Sequence, residues 1–165
     1  MNTAKTNTQI EFLPDIHADV FLGGMENMLV EENEQTGVAH LIQVVPPGLG
    51  APILHLHRSD EESFLVLNGE LTVFYGTPEE KRSQRLLRNG RVRIPAGTAH
   101  GVMNQGKENA ILLVTFKVIG KPITKGFHRW FPQAAACGEN IPAAFQLAIE
   151  EYDSAFVEQP GGHES

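Results

Sequence analysis

The sequence predicts an all-β protein, built as a sandwich or barrel of short antiparallel strands and followed by short C-terminal helices. Between residues 15 and 120, runs of β-forming residues alternate with breaks rich in Gly, Pro and Asn. Asn68-Gly69 separates two of these runs and is the strongest hairpin signal, because both residues tolerate the positive φ of a tight turn. Many short strands at this spacing are typical of a closed antiparallel architecture.

Eight strands are predicted within this region, each bounded by turn-forming residues. They cover residues 37–43, 53–57, 62–67, 70–75, 84–87, 91–94, 101–105 and 110–118. After Gly120 we expect two helices, one over 126–131 that Pro132 stops and a longer one over 142–156. The longer helix places Phe145, Ala148 and Tyr152 near one face, which we expect to pack on the outside of the barrel.

The 165 residues suffice for one domain with a substantial core. We divide the chain into a flexible N-terminal arm (1–14), a β-barrel (15–120), a C-terminal helical segment (121–157) and a disordered tail (158–165). The tail contains the polar, turn-rich sequence Gln-Pro-Gly-Gly-His-Glu-Ser.

Charge and composition narrow the class of partner. The formal net charge is -7, and no run of Lys or Arg forms a patch that follows a phosphate backbone. We therefore expect no nucleic-acid partner, no membrane association and a small-molecule substrate or ligand. The single cysteine excludes an internal disulfide, and no signal peptide or spanning segment is evident, so we expect a cytoplasmic protein.

Three histidines and one glutamate form a candidate metal site. His55 and His57 are two positions apart in a β-type run, so both side chains project from the same face. Glu62 is an odd number of positions further along and shares that face only if residues 58–61 turn the chain. His100 arrives from a third strand, directly after a Pro-Ala-Gly turn.

Imidazole nitrogens with one carboxylate prefer Fe, Mn, Ni, Co or Zn over Ca or Mg. We therefore predict one divalent transition metal bound by His55, His57, Glu62 and His100. Asp60 and Glu61, which belong to an acidic run, are expected to be solvated surface residues.

These residues resemble the two motifs of the cupins. The first motif, a spaced His-x-His, Glu and Gly, is matched by His55, His57, Glu62 and Gly69. The second motif is matched by Pro95, Gly97, His100 and Asn104. The resemblance implies a cupin-type double-stranded β-helix, or jelly-roll barrel, with the metal inside.

From about residue 20 to 157 the chain is also similar to small single-domain bacterial cupins described as quercetin dioxygenase-like. That resemblance implies a metal-dependent dioxygenase, hence an oxidoreductase, acting on a small aromatic, enolic or diketone substrate. It implies a second, catalytic role for Glu62 as a general base that partly leaves the metal. It further implies a homodimer formed by strands exchanged or added at the sheet edge.

Strand phase predicts the walls of the substrate pocket. The predicted lining residues are Ile53, Phe64, Val66, Val102, Val114, Phe116, Phe127 and Trp130. Phe127 and Trp130 either close the mouth as a lid or pack against the outer sheet, and Gln43 either hydrogen-bonds a ligand or faces solvent.

Two other functions remain open from the residues alone. The metal would act as a Lewis acid in an isomerase, decarboxylase or hydrolase, for which redox-inert zinc suffices. Alternatively, the barrel is a non-catalytic small-molecule-binding or sensor module, since a fold does not fix a function.

Overall fold

A computed structural model describes residues 15–158, which form eleven strands, two α-helices and two short 3₁₀ turns. The predicted arm at 1–14 lies outside the described residues, and so does the predicted tail beyond Glu158. The strands are β1 (Asp19–Phe21), β2 (Met25–Asn33), β3 (Val38–Val45), β4 (Gly50–His57), β5 (Asp60–Asn68), β6 (Glu70–Gly76), β7 (Lys81–Leu87), β8 (Arg91–Ile94), β9 (His100–Met103), β10 (Ala110–Val118) and β11 (Ser154–Phe156). The helices are α1 (Trp130–Ala136) and α2 (Ile141–Glu151), and the 3₁₀ turns are Ile123–Lys125 and Phe127–Arg129.

The strands of residues 15–158 form two antiparallel sheets, which confirms the predicted all-β class. One sheet has the order β1-β2-β3-β10-β5-β8, and the other has the order β11-β4-β9-β6-β7. Burial alternates strictly along β3 and the first part of β10, as expected for strands with one face toward a core. The interior is filled by aliphatic and aromatic side chains from both sheets, including Leu41, Val66, Leu71, Val73 and Phe116.

The eight predicted strands each overlap one of β3 to β10, whereas β1, β2 and β11 were not predicted. Along β2 the inward positions include Asn27, so its apolar alternation is broken by a buried amide. The strands β1 and β11 have three residues each, which is too short for a periodic signal.

The helical predictions were partly wrong in their boundaries. Pro132 does not stop a helix but lies in the first turn of α1, where a missing backbone N–H costs no intrahelical hydrogen bond. Helix α2 ends at Glu151, and Asp153 adopts a positive φ of 54° before the chain enters β11. Asn140 caps α2, since its side-chain oxygen accepts a hydrogen bond from the N–H of Ala143.

The helical segment covers the interior and does not pack on the outside of the barrel as expected. Phe145 and Ala148 of α2 line a cavity between the sheets, and Trp130 Nε1 donates a hydrogen bond to the carbonyl of Ala144 at 2.8 Å. No helix within residues 15–158 has both the length and the apolar character needed to cross a membrane.

A buried carboxylate ties this segment to the first residue of β5. Asp60 is only 2% exposed, and its side chain accepts hydrogen bonds from the backbone N–H of Phe127 (2.9 Å) and from Lys121 Nζ (2.8 Å). The expectation that Asp60 is solvated was therefore wrong, because a cation and a backbone donor compensate its burial. Glu61 instead forms a surface ion pair with Arg93.

A second anchor joins the same segment to β2. Glu32 accepts hydrogen bonds from His128 Nε2 at 2.5 Å and from Arg129 Nε at 2.7 Å. The hydrogen bond from Arg129 holds the pKa of Glu32 below its usual range, against the opposing effect of burial. Both anchors flank Phe127, so the position of its ring is fixed from two sides.

Replacing Asp60 with Asn tests the first anchor. We expect Asp60→Asn to lower the free energy of unfolding by about 2 kcal/mol, because two hydrogen bonds to a buried charge are weakened and Lys121 loses its counter-ion. Denaturant titration measures this change. Glu61→Gln is the matched control and should leave the stability nearly unchanged, because Arg93 is exposed. Equal effects of the two substitutions would contradict the anchoring role of Asp60.

Candidate metal centre

Three strands bring three histidines to one point in the interior. His55 and His57 lie on β4, and His100 is the first residue of β9, directly opposite His55 in the register of the two strands. One ring nitrogen from each histidine lies within 4.8 Å of the corresponding nitrogens of the other two. The spacing of His55 and His57 predicts that their side chains lie on the same face of β4. The side chain of His100 lies on that face too.

Glu62 joins this cluster because the chain turns where strand phase requires it. Two residues, Arg58 and Ser59, separate β4 from β5, and Glu62 is the third residue of β5. It is buried opposite Phe116 of β10. Its Oε2 lies 2.8 Å from His100 Nε2 and 3.5 Å from His57 Nε2. The four predicted ligands thus form one group.

Backbone carbonyls set the tautomer of two of the histidines. His55 Nδ1 is 2.8 Å from the carbonyl oxygen of Ile53, and His100 Nδ1 is 2.9 Å from that of Thr98. A carbonyl oxygen can only accept, so each Nδ1 carries a proton and donates it. In the neutral ring Nε2 then has a lone pair, which is the arrangement of a metal-ligating histidine.

His57 obtains the same orientation from the C-terminal strand. Its Nδ1 lies 2.9 Å from Ser154 Oγ, and Ser154 is opposite His57 in the β4–β11 pair. The Ser154 hydroxyl is 3.4 Å from the carbonyl oxygen of Tyr152, to which it donates, so its oxygen accepts from His57. His57 Nε2 is buried and has no hydrogen-bond partner among residues 15–158, so its lone pair is available to a cation.

The electrostatics favour a neutral His55 and an ionised Glu62, and they stabilise the protonated ring of His100. Burial, together with the nearby His100 and His57, lowers the pKa of His55 to about 3. Burial opposes ionisation of Glu62, but the hydrogen bond from His100 and the proximity of His57 outweigh it and hold its pKa far below the usual range. Burial likewise opposes protonation of His100, yet Glu62 raises its pKa. A buried carboxylate among three imidazoles attracts positive charge, which a divalent cation supplies.

The donor set therefore fits a divalent transition metal. Three imidazole nitrogens and one carboxylate oxygen suit Fe, Mn, Ni, Co or Zn, and the set does not distinguish among them. The outward hydrogen bonds of all three Nδ1 atoms are the supporting contacts that such a site requires.

The metal centre lies at a cavity of about 130 Å³. Five of the eight predicted lining residues contribute to its walls: Ile53, Phe64, Val102, Phe127 and Trp130. The other three predictions are corrected, because Val66, Val114 and Phe116 are completely buried in the core and do not line the cavity. Their strand phase was inward, but other side chains cover them.

Several lining residues were missed because they come from unpredicted elements. Phe21, Leu22 and Met25 belong to the β1–β2 hairpin, and Ser154 and Phe156 belong to β11. The aromatic residues of residues 126–131 line the cavity and do not pack outside the sheet, and Phe127 contacts the centre directly. The ring of Phe127 has its centroid 3.9 Å from that of His57, and Trp130 stacks on Phe127 at 5.1 Å.

Comparison with known families identifies the domain. Residues 41–116 match the Cupin_2 family model, described as a cupin domain. This region contains all four predicted ligands, and the two antiparallel sheets are those of a cupin double-stranded β-helix. The match covers just under half of the chain, and helices α1 and α2 and strand β11 lie beyond it.

Similar proteins include vicilins and several proteins of known structure. The chain is 31% identical over 100 residues to vicilin C72 from Gossypium hirsutum. The aligned region covers 60% of the chain and 17% of the vicilin. The chain is 16% identical to the capsular polysaccharide assembling protein CapF from Staphylococcus aureus (TM-score 0.62), covering 90% of the chain and 36% of CapF. It is 22% identical to an oxalate oxidase (TM-score 0.52), covering 70% of the chain and 64% of that protein. The chain thus spans about a sixth of the vicilin, and both structural likenesses concern the fold.

Removing a single ligand tests the assignment of the metal site. His57→Ala and His100→Ala should each abolish stoichiometric Co²⁺ binding, measured by titration, while circular dichroism still reports a folded barrel. His40→Ala is the control, because His40 lies on β3 and hydrogen-bonds Thr115 away from the cluster. Stoichiometric metal in both ligand variants would contradict the assignment.

The two neighbouring glutamates provide a matched pair. Glu62→Gln should weaken Co²⁺ binding by at least about tenfold, because it removes an anionic ligand from the cluster. Glu61→Gln should have little effect, since Glu61 pairs with Arg93 at the surface. Equal losses would show that the wrong carboxylate has been assigned.

Substitution of Ser154 tests how His57 is oriented. Ser154→Ala should weaken Co²⁺ binding by about tenfold, measured by competition with a chelating indicator, because His57 Nδ1 loses its acceptor. Ser154→Thr retains the hydroxyl and should retain most of the affinity. Ser83→Ala, at an exposed position of β7, controls for loss of a hydroxyl elsewhere. Undiminished affinity in Ser154→Ala would exclude this role.

Proposed function

We propose that this cupin domain is a metal-dependent dioxygenase acting on a small aromatic, enolic or diketone substrate. The observation that carries the proposal is the convergence of three imidazole Nε2 atoms and the Glu62 carboxylate at an apolar cavity. A redox-active divalent metal bound there supplies polarisation of a chelating substrate and activation of dioxygen.

Glu62 is suited to accept the proton of the substrate. Its Oε2 faces His100 and His57 and would ligate a metal held by these histidines, which leaves Oε1 for an enol or phenol hydroxyl group. The low pKa of Glu62 keeps the carboxylate unprotonated at neutral pH, so it can accept a proton from a substrate hydroxyl group whose own pKa the metal would lower. Because Glu62 is buried, the proton transfer takes place away from bulk water.

The cavity walls favour an aromatic substrate over a sugar phosphate. Aromatic side chains dominate the lining, namely Phe21, Phe64, Phe127, Trp130, Phe131, Phe145 and Phe156. Among the described residues that line the cavity there is no Lys or Arg to pair with a phosphate or a remote carboxylate. Apolar walls with a few polar groups are typical of sites for small uncharged molecules.

A Lewis-acid enzyme is the second candidate, because three imidazoles and a carboxylate also suit zinc. In that case the polarised substrate would isomerise, decarboxylate or hydrolyse without consuming oxygen. The two candidates differ in which metals support turnover and in whether turnover requires oxygen.

Oxygen consumption by the protein loaded with different metals tests the proposal. With Fe²⁺, Mn²⁺, Ni²⁺ or Co²⁺ bound, at least one member of a panel of catechols, flavonols and diketones should give substrate-dependent oxygen uptake at an oxygen electrode. The Zn²⁺-loaded protein and the Glu62→Gln variant should be inactive, and anaerobic conditions should stop turnover. Turnover by the zinc form without oxygen would contradict the proposal and support the Lewis-acid alternative.

A further inference from the structure

A buried amide lies at the cavity with no partner among the residues that the structure describes. Gln43 of β3 is only 7% exposed and lines the cavity, and no group in residues 15–158 hydrogen-bonds its side chain. Directly opposite it on β2 is Asn27, which is 1% exposed and whose Oδ1 also has no donor among the described residues. Buried polar groups are nearly always hydrogen-bonded, so this pair requires an explanation.

Strand register places Gln43 far from the metal centre but on the same interior face. On β10, Gln43 lies opposite Leu112 and Glu62 lies opposite Phe116. Leu112 and Phe116 both point inward, and directly opposed residues of antiparallel strands share a face. Four residues along β10 correspond to a separation of about 13 Å. The cavity therefore extends from the histidines and Glu62 at one end to the neutral amide of Gln43 at the other.

The walls between the two ends are apolar. Phe64 and Val102 come from opposite sheets, and Ile53 lies on β4 two residues from His55. A charged group at the Gln43 end would lose its hydration without gaining a counter-ion, because the described lining residues include no Lys or Arg. A neutral group is favoured there, since a glutamine amide both donates and accepts hydrogen bonds.

We propose that Gln43 selects an elongated, uncharged ligand that bears a chelating head, an apolar body and a neutral hydroxyl or carbonyl group at its far end. The head lies at the histidine cluster, the body lies against the apolar walls, and the far group hydrogen-bonds the Gln43 amide. This inference rests on the proposed function, because the head is positioned by the metal.

The difference in affinity between two probes that differ by one hydroxyl group tests this inference. The probes are 4-phenylcatechol and 4-(4-hydroxyphenyl)catechol, titrated calorimetrically into Zn²⁺-loaded protein so that no oxygen chemistry intervenes. The wild-type protein should bind the hydroxylated probe about tenfold more tightly, since one additional hydrogen bond to a buried group has about this effect. In Gln43→Leu the preference should disappear, while 4-phenylcatechol should bind at least as well as before.

Gln84→Leu is the matched control, because Gln84 is an exposed glutamine in a strand, and it should retain the preference of the wild-type protein. A preference that persists in Gln43→Leu, or is missing from the wild-type protein, would overturn the inference. So would metal-loaded protein that binds neither probe. If the protein takes up no metal, the proposed function itself fails, and this is seen before any probe is added.

Discussion

The orientation of three buried imidazole rings is the constraint on which the rest of the site depends. Each ring directs Nδ1–H outward to an oxygen atom, two of them backbone carbonyls and the third the Ser154 hydroxyl. This leaves the three Nε2 atoms facing one another beside Glu62. Such a concentration of lone pairs and negative charge in an apolar interior is costly unless a cation compensates it. The pairing of β4 with β9 and with β11 maintains this orientation.

The C-terminal segment completes a site whose ligands all lie in the cupin domain. It provides Ser154, which orients His57, and Phe127, whose ring packs on His57. Two carboxylates hold this segment in place by accepting hydrogen bonds from it. Asp60 lies at the start of β5, and Glu32 lies on β2. The same segment supplies apolar walls to the cavity, so Phe127 and Ser154 both line the cavity and contact His57.

Local spacing was enough to predict that the histidines and Glu62 lie together, because two residues in one strand share a face and a turn restores the phase of Glu62. It was not enough to identify Ser154, which is separated from His57 by 97 residues and lies in a strand of three residues. Strand phase predicts whether a side chain points inward, but not whether it reaches the surface of the cavity. Val66 and Phe116 point inward but are completely buried and do not line the cavity. The burial of Asp60 depends on Lys121, a distant partner that an acidic run does not reveal.

The central claim is that His55, His57, His100 and Glu62 hold one divalent transition metal. The most direct test is an anomalous difference map from a crystal of the Co²⁺-loaded protein, recorded at the cobalt absorption edge. We predict one strong peak per chain, about 2.0–2.2 Å from the Nε2 atoms of the three histidines and from a carboxylate oxygen of Glu62. A crystal with no peak at this position, or with the ion bound to other residues, would contradict the account.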